Sequence, residues 1–169
     1  MPSSPENAPS GPVRLRPVET SDLEALVELD ASYARRTGSA IAVDQPALNQ
    51  SALDQSALNH YSRSGHSFVA SRESWRRPCG FLLAHATWDG SRAVVGCSRL
   101  VAEGDDPHVL ERLLEALVKS AYDAGAYDLA VDLPEGDAPG RKVVVTSGFS
   151  LRPLRRYERV LGSRGQVSR

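Results

Sequence analysis

Lysine is nearly missing from this chain, which sets 18 Arg against two Lys (Lys119 and Lys142) in 169 residues. That bias is open to two readings, codon composition and phosphate recognition. The formal net charge is only -1, which excludes the bulk attraction to nucleic acid or anionic lipid that a strongly basic protein shows. Cysteine is scarce too. Cys79 and Cys97 form no disulfide framework and lack metal-ligand spacing, so no metal site is expected. No apolar run approaches the roughly 18 to 20 residues that span a bilayer. The N-terminus lacks the basic-then-apolar layout of a signal peptide. The expectation is a cytoplasmic protein without membrane or nucleic-acid partners.

What is present suits one globular domain. Hydrophobic residues make up 41% and charged residues 24%, enough for a single core at this length. Residues 1–12 hold four prolines, three serines and almost nothing apolar, as in a disordered tail. Residues 13–161 are read as the domain and 162–169 as a polar tail. Val13 and Leu15 alternate with Arg14 and Arg16 as in a short strand. Ser21 to Glu24 reads as a capping box opening a helix, with Leu23, Leu26, Val27 and Tyr33 on one face. Asp44 to Leu58 then contains three copies of a five-residue unit ending in Leu48, Leu53 and Leu58. Five is neither a helical nor a strand period, and three copies are too few for a solenoid; the segment is read as helical.

Ser67 to Ser71 and Gly80 to Trp88 read as paired strands with Trp75 to Pro78 in the turn, and Ala93 to Val101 as a third. The clearest helix follows. Asp106 caps it, Pro107 suits its first position and Gly125 its stop. Leu110, Leu113, Leu114, Leu117, Val118 and Ala121 make its apolar stripe. Tyr127 to Leu133 reads as a strand, Pro139 to Ser147 as a short helix, and Phe149 to Leu151 and Tyr157 to Leu161 as closing strands. The order implies a mixed α/β sheet with helices on its faces.

Val13-Arg-Leu-Arg-Pro17 with Asp22-Leu-Glu-Ala-Leu26, Leu113-Leu-Glu-Ala-Leu117 through Gly125, and Gly148-Phe149 together resemble the GNAT superfamily of N-acetyltransferases over Val13 to Leu161. Arg63 to Phe68, Val118 to Gly125 and Leu161 to Gly165 are also similar to a small group of uncharacterised bacterial GNAT-like proteins. The resemblance implies six or seven strands with helices on both faces, and acetyl-CoA or another acyl-CoA as cosubstrate. It assigns the pantetheine arm to the backbone of Leu100, Val101 and Ala102, and the diphosphate to the first turn of the following helix at His108 and Val109. An amine, small-molecule or peptide, would accept the acyl group.

The chain departs from the family pattern where the coenzyme's diphosphate belongs. In the resemblance an Arg or Gln precedes two small residues in a loop whose backbone N–H groups close on the anion. Here those positions are Asp105, His108 and Leu110, inside an acidic stretch of Glu103, Asp105 and Asp106. The superfamily's Tyr, which protonates the leaving thiolate, falls on Val144; its Asn falls on Asp137 and its Ala on Gly140. Two functions follow: an acyl-CoA-dependent N-acyltransferase or acyl-CoA-binding relative, and a catalytically inactive GNAT-fold interaction module. Glu103 is the nearest carboxylate for a base, and His66 and His85 lie in adjacent predicted strands. Arg152, Arg155, Arg156 and Arg159 form a basic cluster, read as edge-strand charge that blocks aggregation.

Overall fold

The computed structural model describes residues 11–38, 53–72 and 77–152. Alternating apolar residues form the first strand, β1 (Val13–Pro17), and a 3-10 turn (Thr20–Asp22) leads into helix α1 (Leu23–Thr37). Helix α2 (Gln55–Ser62) precedes three antiparallel strands, β2 (Phe68–Arg72), β3 (Pro78–Trp88) and β4 (Ala93–Ala102). Helix α3 (Pro107–Asp123), strand β5 (Asp128–Val131) and helix α4 (Ala138–Thr146) complete the described elements. The sheet order is β1-β2-β3-β4-β5, with β5 parallel to β4 and every other pair antiparallel.

Strand alternation divides the core in two. Leu82, Ala84, Cys97 and Leu100 meet the stripe of α3, where Leu110, Leu113, Leu114, Leu117 and Ala121 are all buried; Val118 is only half-buried. Val69, Phe81, Leu83 and Val101 point the other way, onto Leu26 and Tyr33 of α1 and Leu58 of α2. Helices therefore cover both faces, as the resemblance implies. Helix α3 lies very close to β3. A Cβ on Gly80 would sit 2.6 Å from Val109 Cγ1 and 2.8 Å from the Val101 carbonyl oxygen, so only glycine fits there.

Several expectations are corrected. The strand count is five among the described residues, not six or seven. Phe149 to Leu151 is not a strand: Gly148 turns at a φ of 91° and the Phe149 N–H donates back to the Val144 carbonyl. Tyr157 to Leu161, the N-terminal tail as far as residue 10, the tail at 162–169, the first repeat copy and all of the second but Leu53 lie outside the described residues, as do three of the four arginines of the basic cluster. The third copy gives Asp54, whose carboxylate caps α2 at Ala57 N–H, and the fully buried Leu58. Pro78 opens β3 rather than closing a turn. The reciprocal cap falls two residues early. The Glu19 N–H donates to Asp22, not Ser21 to Glu24, because Arg16 already holds Asp22 at 2.5 and 2.8 Å.

Burial works against ionisation of Asp22, but the Arg16 guanidinium and the Glu19 N–H outweigh it and hold its carboxyl below the ordinary 3.8. A depressed folded-state value means stability that is complete above the unfolded value and lost as pH falls through the folded one. Urea unfolding between pH 5 and pH 2 should therefore show less acid sensitivity in Arg16→Gln than in the parent chain. Gly80→Ala should cost about 2 kcal/mol by the same measurement, through overpacking against Val109 and the β4 backbone; a parental midpoint would mean that α3 rides freely over the sheet.

Candidate functional site

Strand β4 carries one residue more than its partner. Leu83 faces Arg99 and Ala84 faces Cys97, so Ser98 has no counterpart on β3. Successive strand residues normally alternate faces, yet Ser98 and Arg99 both turn toward α1 and α2. The Ser98 hydroxyl lies 2.7 Å from the Tyr61 hydroxyl of α2, and Arg99 Nε lies 3.1 Å from Asp30 Oδ1 of α1. A bulge of this kind bends its strand. Pairing with β5 stops at Cys97, whose carbonyl takes the Asp132 N–H at 2.9 Å. From Ser98 to Ala102 that edge of β4 has no strand partner among the described residues.

A cavity of about 450 Å³ opens at this fork, lined by Asp30, Tyr61, Ser98, Arg99 and Asp132 with apolar neighbours including Leu83 and Leu133. Its size is that of a small-molecule site. The Asp30 carboxylate is buried and Arg99 is about a third exposed, so the pair anchors one charge in the core and presents the other to the cavity. A smaller hollow of about 230 Å³ lies between α1 and the turn after β4.

That turn holds the acidic stretch, and every acid in it has an arginine. Glu103 takes Arg77 at 2.6 Å, Asp105 takes Arg36 of α1, and Asp106 takes the buried Arg72 of β2. Gly104 and Asp105 sit at φ of 62° and 56°, a left-handed pair that aspartate tolerates better than most side chains. Asp106 Oδ1 also accepts the N–H groups of His108 and Val109, at 3.0 and 3.4 Å, so the N-terminus of α3 is already bonded to the chain's own carboxylate.

The residues singled out from sequence fall into distinct places. Leu100, Val101 and Ala102 are buried along the unpartnered edge of β4. His108 is exposed, and the Val109 side chain is buried against Gly80. Val144 is buried in α4 and carries no hydroxyl. Asp137 accepts the Tyr33 hydroxyl at 2.7 Å and the Gly140 N–H at 2.8 Å. Burial and that carboxylate push the Tyr33 phenol well above its usual range. A Cβ on Gly140 would lie 2.3 Å from Asp137 Oδ2, so these positions form a clasp between α1 and α4. His66 and His85 do not meet. His66 bonds Ser120 of α3 at 3.0 Å, while His85 packs edge-on against His60 and Tyr61 on the other face. Both thiols are buried. Burial raises the Cys79 pKa and pushes Cys97 up to about 12, which keeps them as unreactive thiols. Among the described residues no three His, Cys, Asp or Glu side chains form a metal site, and no helix is long and apolar enough to cross a membrane.

Sequence reasoning missed Asp30, Tyr61, Ser98 and Arg99. Two successive polar residues inside an otherwise apolar strand were the available signal, because only an extra residue sends both to one face. The Arg72–Asp106 pair yields a test. Asp106→Ala removes a helix cap and strands a buried guanidinium, and should cost about 3 kcal/mol in urea unfolding. Asp106→Asn keeps the cap and loses only the charge, so its own loss reports the ion pair; a parental midpoint in that variant would show that the pair contributes nothing.

The same architecture recurs in known proteins. A family model described as a protein of unknown function (DUF1999) matches residues 13–137. Among solved structures, wild-type TTHA1254 from Thermus thermophilus is 34% identical, with a TM-score of 0.65 over 89% of this chain and 99% of that one. A ribosomal-protein-alanine N-acetyltransferase from Brucella melitensis biovar Abortus 2308 is 16% identical, with a TM-score of 0.65 over 88% and 99%. An aminoglycoside acetyltransferase from an uncultured soil metagenomic sample, in complex with sisomicin, is 12% identical, with a TM-score of 0.61 over 89% and 97%. The fold is that of the GNAT acetyltransferases. No curated protein matches the chain.

Proposed function

The chain belongs to the family described as proteins of unknown function (DUF1999), and from its GNAT fold and the forked sheet we propose an N-acyltransferase that moves an acyl group from a thioester to a small amine. The observation that carries this reading is the loss of β5 from β4 after the bulge. It leaves backbone donors and acceptors from Ser98 to Ala102 for an extended ligand arm, and backbone bonding depends little on side chain. The arm would be the pantetheine of an acyl-CoA, lying along Leu100, Val101 and Ala102.

The coenzyme's two ends fit unequally. The arm fits the open edge, but the diphosphate does not fit the turn after β4. His108 and Val109 would receive it only if Asp106 released their N–H groups and Arg72 together. Recognition would then rest on the arm, with the nucleotide in solvent. The amine would enter the cavity from the α1–α2 side and attack the thioester carbon. A C–N bond forms, the C–S bond breaks, and the thiolate leaves with a proton. A polarised carbonyl oxygen would meet backbone N–H on β4. Tyr61 and Ser98, bonded to each other at the fork, are the hydroxyls through which the amine's proton can pass; Val144 can carry none.

A second reading, a GNAT-fold module without catalysis, draws its support from the arginine-paired acids and Val144. Calorimetric titration with acetyl-CoA and with S-acetylpantetheine separates the two. Acyl transfer predicts binding of both, with affinities within about threefold, under 1 kcal/mol apart. Binding of neither selects the silent module. Acetyl-CoA binding more than about thirtyfold tighter, a gap of about 2 kcal/mol, would mean that the turn rearranges to take the diphosphate, and the arm-only account would fall.

A further inference from the structure

We infer that the cavity at the fork selects an amine that also carries a carboxylate, an amino acid or close relative, and that Arg99 is the residue that clamps the carboxylate. Arg99 enters the cavity only because Ser98 is an extra residue; a regular strand would turn one of the two into the α3 core. Its guanidinium approaches Asp30 Oδ1 through Nε at 3.1 Å, an ion pair without hydrogen-bond geometry. The terminal nitrogens make no hydrogen bond to a described residue, although Arg99 lines the cavity.

Asp30 explains why such a fork can wait. Its buried carboxylate sits on α1, whose Leu26 and Tyr33 pack on the sheet, and compensates the guanidinium charge. An ion-paired guanidinium whose charge is already compensated keeps its remaining N–H donors for a ligand. Planar forks of this kind match carboxylates by paired hydrogen bonds. The rest of the lining suits the other end of such a ligand. Leu83 and Leu133 supply apolar wall, and Tyr61 and Ser98 supply hydroxyls that an ammonium would meet. The volume of about 450 Å³ admits an amino acid with a side chain of moderate size.

The inference names the acceptor for the acyl-transfer reading and rests on that reading for its chemistry, but its test needs no thioester. The full chain is titrated with a panel of the common L-amino acids, each beside its decarboxylated amine, and binding is followed by ligand-observed NMR. The expected result is binding of one or more amino acids, with each matched amine weaker by at least about tenfold, the scale of a charge-assisted hydrogen-bond pair. Arg99→Gln should abolish the preference. Because that variant leaves Asp30 charged in the core, Asp30→Asn with Arg99→Gln removes both charges and keeps the fold testable. Asp30→Asn alone should retain the preference in weakened form. Amines that bind as well as their parent amino acids, or a preference that survives loss of Arg99, would overturn the assignment. So would a panel in which nothing binds. Failure of acetyl-CoA and S-acetylpantetheine to bind would leave this result standing and remove only its catalytic meaning.

Discussion

A single residue without a counterpart across the ladder, Ser98, decides where the sheet forks. In an antiparallel ladder the count of residues on the two strands must match, or one strand must bend. Here β3 has nothing opposite Ser98, so β4 bends away from β5 just after Cys97. The polarity of the strand follows the same event. Up to Cys97 the odd positions face α3; from Leu100 onward the even ones do. Between them Ser98 and Arg99 share a face, which puts a hydroxyl and a guanidinium at the fork with no loop needed to carry them. Because the flanking residues Cys97, Leu100 and Val101 are all buried, the register cannot slip without turning core residues outward. The cavity is thus fixed by the same packing that fixes the sheet.

The turn after β4 shows how charge can be reassigned without changing a backbone path. A helix N-terminus attracts an anion through free N–H groups and the helix dipole. Asp106 meets both demands internally, and Arg72 neutralises it from β2. Glu103 and Asp105, counted singly, would repel a diphosphate. Paired with Arg77 and Arg36 they form a strap from α1 across the turn to the residue before β3. The arginine excess acquires a structural use here. Arg16 and Arg99 each meet a buried carboxylate and Arg72 is itself buried against Asp106, where a guanidinium loses less than an ammonium on leaving water.

The legible parts of the fold were those written in local pattern. The stripe from Leu110 to Ala121, the Asp106-Pro107 start of α3 and the alternation of β1 each depend on neighbours a few residues apart, and each is seen in the structure. The Asp22 cap was misplaced because the partner that decides it, Arg16, lies outside the capping motif. Asp137 and Gly140 read as relics of a catalytic pattern, yet they clasp Tyr33 of α1, more than a hundred residues earlier in the chain. Of the fork, only the backbone of Leu100, Val101 and Ala102 was anticipated, and through resemblance. Its side chains come from α1, α2 and β4, and no spacing along one element could bring Asp30, Tyr61 and Arg99 together.

On the acyl-transfer reading, closing the diphosphate site changes where binding energy is available. Contacts to a remote nucleotide can be used to hold a reacting thioester in place, so a donor that lacks them must be positioned by the arm alone. The complementary resource lies on the acceptor side. An acceptor gripped at a fixed guanidinium beside the fork brings its amine to the thioester in a restricted geometry, and orientation of that kind lowers the barrier without any general acid. A site with an empty Tyr position and a filled diphosphate cradle therefore places its selectivity in the acceptor pocket. The Asp30–Arg99 pair, partly exposed and turned to the cavity by the bulge, has the charge to supply it.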